Sequence, residues 1–131
     1  MALELIIDTN AYSSFFRNIG KVRALMERAD RILIPAVVLG ELVAGFNCGN
    51  RKEMNYAEFD HFISFPGISV IPVERGEAEM YGHLVEKLKK AGTPIPTNDL
   101  RIAAAALNRG LFLLTNDSHF NCITGLKIVN Y

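Results

Sequence analysis

Cysteine is scarce in this sequence, which contains only Cys48 and Cys122. They show no Cys-x-x-Cys spacing and no accompanying pair of histidines, so the ligand pattern of a zinc site is missing. We therefore interpret both as reduced thiols, either in the core or on the surface.

Long apolar runs are also missing. No stretch approaches the roughly 20 apolar residues that a membrane-spanning helix needs. No basic segment of the kind that opens a secretion signal precedes the first apolar run. Together with the reduced cysteines, these features predict a cytoplasmic protein without a membrane partner.

Neither sign of charge is in excess, because 14 lysines and arginines balance 14 aspartates and glutamates. The bulk charge points neither to a coat for nucleic acid nor to a surface that seeks acidic partners. If cations neutralised four of the acids, ten acids would remain against 14 bases. That basic excess is compatible with an anionic substrate.

The sequence does contain enough apolar residues for one full core. It has 131 residues, 50% of them hydrophobic, and shows no repeats, linkers or low-complexity tracts. We expect one compact domain that covers residues 1–131.

Short apolar runs alternate with amphipathic stretches along the chain. The runs predict five strands, at residues 3–7, 31–34, 68–71, 111–114 and 127–130. Helical spacing predicts helices at 12–16, 22–28, 36–46, 51–64 and 74–91. A last helix, introduced by Pro96 and Thr97 and with Asp99 in its first turn, ends at Asn108-Arg-Gly110. This alternation favours an α/β fold with a mostly parallel five-stranded sheet and helices on both faces.

Four acids stand at or near the ends of predicted strands. Asp8 follows the first strand, Asp117 follows the fourth, and Asp99 opens a helix that must run antiparallel to the fourth strand. Glu41 lies about five residues into its helix, on a side chain long enough to reach the strand edge. Local explanations also exist: Asp99 suits the positive end of a helix dipole, and Glu41 suits a helix surface.

Right-handed crossovers place the exits of parallel strands on one edge of the sheet, where ligands bind. Four carboxylates crowded there, with no paired lysine or arginine in the adjoining motifs, would repel and could not all ionise at neutral pH. A divalent cation removes that repulsion, and oxygen ligands without histidine or cysteine suit Mg²⁺ or Mn²⁺. The four acids therefore predict a metal site for phosphodiester hydrolysis.

A phosphorylatable receiver domain is one alternative, because it also gathers acids at strand exits. It requires a second acid at the first strand and a lysine at a late one. Here Asp8 is followed by Thr9 and Asn10, and no lysine stands at the exit of the fourth strand.

The motifs around the acids resemble those of a known family. They read Leu-Ile-Ile-Asp8-Thr-Asn, Pro-Ala-Val-Val-Leu-Gly-Glu41-Leu, Pro-Thr-Asn-Asp99-Leu-Arg-Ile-Ala-Ala and Leu-Leu-Thr-Asn-Asp117-Ser-His-Phe. In this order and spacing they are similar to PIN-domain ribonucleases, most of all to the VapC toxins of toxin-antitoxin pairs, over essentially the whole chain. The resemblance implies a PIN-like sheet of order 3-2-1-4-5, Mg²⁺-dependent cleavage of RNA, a homodimer, and inhibition by a small antitoxin.

The resemblance also assigns roles by position. It makes the four acids the catalytic and metal-binding quartet. Thr115 matches the small hydroxyl residue before the fourth acid, Asn10 matches the polar residue after the first, and a capping or packing role is favoured for His119. The supporting or RNA-binding residues are thus Asn10, Thr115, Arg101 and His119. A non-catalytic PIN-like scaffold that binds RNA or protein is the alternative, and the complete quartet argues against it.

The early helices carry large apolar side chains that a domain of this size need not bury. An exposed apolar surface there would suit the tail of an antitoxin, and an arginine of that tail could then enter among the carboxylates. The side chains are Phe15, Phe16, Val43, Phe46, Tyr56 and Phe59.

Overall fold

The structure, a computed structural model, describes residues 2–131. Its strands and helices alternate along most of the chain, and a short 3₁₀ helix at Ser118–Cys122 precedes the last strand. The strands are β1 (Glu4–Ile7), β2 (Arg31–Pro35), β3 (Ile68–Ile71), β4 (Phe112–Thr115) and β5 (Ile128–Asn130). The helices are α1 (Thr9–Phe16), α2 (Gly20–Arg28), α3 (Ala36–Cys48), α4 (Lys52–Ile63), α5 (Arg75–Ala91) and α6 (Thr97–Arg109).

The five strands form one sheet in the order β3-β2-β1-β4-β5, and every neighbouring pair is parallel. The predicted order is confirmed, and the sheet is wholly rather than mostly parallel. The chain moves outward from β1 through β2 to β3, and then returns to the other side of β1 for β4 and β5. The strand order therefore reverses between β1 and β4, which is where ligands bind in open parallel sheets.

The central strands explain why the sheet needs helices on both faces. Leu5, Ile6 and Ile7 of β1 are all fully buried. Because successive side chains of a strand point to opposite faces, a strand buried at every position must be covered on both. Helices provide that cover, as predicted.

In most elements a bound differs from the prediction by one to three residues, and the largest difference has a local reason. Helix α1 begins at Thr9 rather than at residue 12, because the carboxylate of Asp8 accepts a hydrogen bond from the backbone N–H of Ala11 and so caps the helix. Strand β4 extends to Thr115, one residue beyond the apolar run that predicted it.

The expectation of a broad exposed apolar surface on the early helices is partly wrong. Phe46 and Phe59 are 8% and 5% exposed, so both belong to the core. Around Tyr12 the rings pack against one another, with Phe62 meeting Tyr12 edge to face at 5.3 Å. Mutual packing of aromatic rings buries more of this surface than the sequence pattern indicated.

Two further expectations concern exposure. Both cysteines are free and lie at exposed positions, so the surface reading applies rather than the core one. Within residues 2–131, no helix combines the length and the apolar character that crossing a membrane requires.

Candidate metal centre at the carboxyl edge of the sheet

Asp8 is the most enclosed of the four acids, with 5% of its surface exposed. Its Oδ1 accepts the N–H of Ala11 at 2.8 Å, and its Oδ2 accepts the hydroxyl of Thr115 at 2.5 Å. Burial raises the pKa of Asp8 above its usual range, the two hydrogen bonds oppose that rise, and the charges of Asp117 and Asp99 add to it. A carboxylate in this position favours any bound cation.

The sheet register explains the contact between Asp8 and Thr115. Ile7 of β1 stands opposite Leu114 of β4, so the next residues along the two strands are Asp8 and Thr115. The hydroxyl of Thr115, which is fully buried, also accepts the backbone N–H of Asp117 at 3.0 Å. One hydroxyl thus links the exits of the two central strands and fixes the positions of two acids.

Asp99 and Asp117 form a tight group with His119. One potential ligand atom from each of the three lies within 4.8 Å of the others. Nδ1 of His119 is 3.4 Å from Oδ2 of Asp99 and 3.3 Å from Oδ1 of Asp117. Burial raises the pKa of Asp99, His119 lowers it by hydrogen bonding, and the charges of Asp117 and Glu41 raise it.

Glu41 approaches the same edge from α3. Its Oε1 accepts the hydroxyl of Thr9 at 2.7 Å, which ties α3 to the residue that follows Asp8. Glu41 is not part of the tight group, but its charge acts on Asp99. The expectation that a glutamate on this helix reaches the strand exits is confirmed.

The four acids lack the cations that would neutralise them within the protein. Among residues 2–131, none of them forms an ion pair with lysine or arginine, and His119 is the one basic side chain in contact with the group. Clustered carboxylates, with the pKa values of Asp8 and Asp99 raised, fit a hard divalent cation. The residues present therefore suit the predicted type of metal.

His119 differs from the expectation of a capping or packing role. Its backbone N–H donates to Asp117, which caps the 3₁₀ helix, but its imidazole lies against the carboxylates with 57% of the side chain exposed. The packing role falls to Phe120, which is 1% exposed. A histidine thus lies beside the predicted all-oxygen donor set.

Arg101 does not face the acids. Its guanidinium lies over the ring of Tyr81 at 4.7 Å from the centroid, on the side of α6 that meets α5. Asn10, also named as a supporting residue, is exposed in the first turn of α1.

Two hydroxyl residues near the acids were missed. Thr9 positions Glu41, and its place directly after the first acid was the available signal. Ser14 on α1 donates a hydrogen bond to the hydroxyl of Tyr131 at 3.5 Å, and the charge of Asp8 acts on Tyr131. Because 117 residues separate Ser14 from Tyr131, no local pattern in the sequence could have paired them.

Comparison with known proteins gives a consistent result. The PIN domain family matches residues 5–126. Ribonuclease VapC2 of Rickettsia felis is 30% identical over 119 residues, covering 90% of this chain and 84% of the relative. The tRNA(fMet)-specific endonuclease VapC of Salmonella typhimurium is 30% identical over 134 residues, covering 98% of both chains.

A solved structure shares the whole fold. The crystal structure of VapBC2 from Rickettsia felis, bound to a DNA fragment from its promoter, contains a chain that superposes with a TM-score of 0.89. That chain is 27% identical to this one, and the match covers 98% of this chain and 99% of the other.

Proposed function

The chain belongs to the PIN-domain family, and from this premise we propose that it is a metal-dependent endoribonuclease and the toxin of a toxin-antitoxin pair. One observation carries the nuclease proposal: four carboxylates meet at the switch point of a parallel sheet without a lysine or arginine to neutralise them. In a non-catalytic scaffold that binds no metal, nothing would offset the repulsion between these carboxylates. The relatives named as ribonucleases support the same activity.

In this proposal the acidic quartet, Asp8, Glu41, Asp99 and Asp117, holds Mg²⁺ or Mn²⁺. When bound, such a cation lowers the pKa of water and stabilises charge on a phosphoryl oxygen. The chain itself contributes fixed ligand positions. Thr115 holds Asp8 and the backbone of Asp117, and Thr9 holds Glu41, so the carboxylates need little rearrangement on binding.

Exposed groups beside the quartet supply contacts to the RNA. Asn10 lies next to the quartet in the first turn of α1, and the imidazole of His119 is open to solvent beside Asp99 and Asp117. Both can donate hydrogen bonds to phosphate oxygens. Their role is to orient the scissile phosphate, since each is within two residues of an acid.

The test is cleavage of RNA by the purified chain. Wild-type protein should cut a mixed-sequence RNA in Mg²⁺ and stop when EDTA is added. Asp99→Asn should fold but not cleave, because one ligand oxygen becomes an amide of the same size. Cleavage by Asp99→Asn at the wild-type rate would refute the role of Asp99 as a metal ligand. If the wild type cleaved none of the RNAs tested, the non-catalytic scaffold would be favoured.

An antitoxin requires a surface to bind, and α1 leads to one. A cavity of about 430 Å³ lies between α1, α2 and α4 beside the amino ends of β2 and β3, with Phe15, Phe16 and Phe62 in its wall and Phe65 half exposed at its rim. We assign it to apolar side chains of the antitoxin tail. Helix α1 spans the roughly 12 Å from this cavity to Asp8, so about four extended residues of the tail could reach the acids.

The toxin proposal is tested by growth. Expression of the wild type alone should arrest a bacterial host, Asp99→Asn should not, and co-expression of the protein encoded beside it should relieve the arrest. A wild-type chain that cleaves RNA but leaves growth unaffected would sink the toxin role and leave the nuclease role standing. The homodimer implied by the family resemblance stays a prediction, for which sedimentation of the purified chain is the direct measurement.

A further inference from the structure

A second cavity, of about 490 Å³, opens beside α6 and carries polar groups that the acidic quartet does not use. It begins at Ala36 and Val37, directly after β2, and at Asn98, the neighbour of Asp99. It continues along α5 past Glu77 and Tyr81, with Arg101 contributing from α6. The cavity therefore starts at the same edge of the sheet as the quartet.

Glu77 is the unusual member of this wall. It is 6% exposed, and burial raises its pKa, while the charges of Arg109 and Arg101 lower it. These arginines act on it through charge alone, without a direct hydrogen bond. Glu77 lines the cavity, so N–H donors of a ligand bound there can reach its carboxylate oxygens.

Arg101 and Tyr81 add a flat surface. The guanidinium of Arg101 lies over the ring of Tyr81, 4.7 Å from its centroid, and Arg101 is exposed, so an unpaired base can stack against it. Proteins that bind single-stranded RNA stack unpaired bases on aromatic rings and on arginine planes. The wall thus offers a stacking surface and an acceptor for N–H groups.

We propose that this cavity holds an unpaired guanine of the RNA, next to the phosphate that is cut. The assignment rests on the proposed nuclease function and specifies its substrate. Guanine is the natural base that presents two adjacent N–H donors, N1–H and the N2 amino group, on one edge. The two oxygens of Glu77 can accept both donors while the base stacks against the guanidinium of Arg101.

The test measures binding of short single-stranded RNAs in EDTA, where the metal site cannot support cleavage. One RNA carries a single guanine, a second carries inosine in its place, which lacks only the N2 amino group, and a third carries adenine. The guanine RNA should bind about tenfold more tightly than the inosine RNA, the scale of one hydrogen bond to a charged group. If the wild-type protein bound the three RNAs with equal affinity, that result alone would overturn the proposal.

Glu77→Gln supplies the second arm, with Glu79→Gln as the matched control. Glutamine keeps the size of Glu77 but replaces one acceptor with a donor, so the preference for guanine over inosine should disappear. Glu79 is on the same helix, its side chain is 67% exposed, and it pairs only with Arg75 at 3.5 Å. The control should therefore bind all three RNAs like the wild type, and a loss of guanine preference in both variants would count against the proposal.

Two other outcomes are distinguishable. Guanine-dependent binding without cleavage of any RNA would support the guanine site and refute the nuclease proposal. Cleavage of RNA without a preference for guanine would support the nuclease proposal and refute the guanine site. If Tyr81→Leu changed the sedimentation of the protein while the wild type showed no base preference, the cavity would be an interface between copies of the chain. That result would overturn the base-binding assignment.

Discussion

Thr115 shows how much of the site depends on single polar atoms. Its side chain is fully buried, yet its hydroxyl donates to Asp8 and accepts from the backbone of Asp117. A buried polar group is tolerated when its hydrogen bonds are made, so the two strand exits are held together by the same atom that satisfies it.

Thr115→Val should therefore damage activity more than folding. Valine fills the same volume but leaves Oδ2 of Asp8 without its donor, and loss of such an outer-shell contact lowers activity by about 10- to 100-fold. Thr115→Ser keeps the hydroxyl and should retain most of the activity. The measurement is kcat/KM on one RNA, and equal values for valine and serine variants would show that the hydroxyl has no positioning role.

Charge repulsion at the residue scale predicts a pH dependence of stability. Burial and neighbouring acids raise the pKa of Asp99 above its ordinary value of 3.8, so folding favours its protonated form. The stability gained from this is present below 3.8 and is lost as the pH rises through the raised pKa. Metal-free Asp99→Asn cannot ionise there and should keep that stability.

Urea unfolding in EDTA between about pH 4 and pH 7 measures this effect as the difference in unfolding free energy between Asp99→Asn and the wild type. The variant should gain stability relative to the wild type as the pH rises. Mg²⁺ should narrow or reverse the difference, because it stabilises the folded wild type by binding. A difference that does not change with pH would contradict the proposed repulsion.

At the scale of elements, the features at both ends of α6 explain how this helix positions Asp99. Its first turn carries Asp99, and its interior positions Ala103 to Ala106 are all fully buried. The chain leaves it through Gly110, whose φ of +67° is the left-handed conformation that glycine adopts without strain. This tight exit turns the chain directly into β4 and so brings Asp99 beside Asp117.

Two glycine-to-alanine changes should consequently have opposite signs. Gly110→Ala forces a side chain into the left-handed region and should cost about 1–2 kcal/mol of stability. Gly82→Ala lies in α5, where an added Cβ meets nothing within 4 Å, and should stabilise the protein by about 0.5–1 kcal/mol. Thermal unfolding of both variants is the measurement, and stabilisation by Gly110→Ala would contradict the capping argument.

At the scale of the whole molecule, two sites lie at opposite edges of one sheet. The acids occupy the carboxyl edge, and the aromatic cavity assigned to the antitoxin lies beside the amino ends of β2 and β3. Helix α1 runs between them, from the Asp8 cap to Phe16. In the proposed inhibition, the antitoxin tail must extend along α1 to reach the acids.

The preferred cation also depends on the ligands that several elements bring together at the carboxyl edge of the sheet. Oxygen ligands from β1, α3, α6 and the β4 exit suit a small hard ion, so activity removed by chelation should return with Mg²⁺ or Mn²⁺. Ca²⁺ is larger and less strict in geometry, and it should support cleavage poorly. Rates after replacement of each ion test this, and full activity in excess EDTA would exclude the metal mechanism.

The sequence by itself determined the elements and the acids. Short apolar runs and apolar residues at period 3.6 are local features of the sequence, so β3 was predicted at its observed bounds and the other strands within one residue. Acids that follow strands reach one edge in any parallel sheet with right-handed crossovers, so the proximity of Asp8 and Asp117 could be predicted before any distance was known.

Only the tertiary structure decided which side chains meet across the chain. The hydroxyl of Thr115 reaches Asp8 over 107 residues, Thr9 reaches Glu41 over 32, and Arg101 turns away from the acids onto Tyr81. The burial of Phe46 and Phe59 and the place of His119 among the carboxylates belong to the same class. The physical reason is that side-chain packing and hydrogen bonding depend on distances between elements, which local periodicity does not contain.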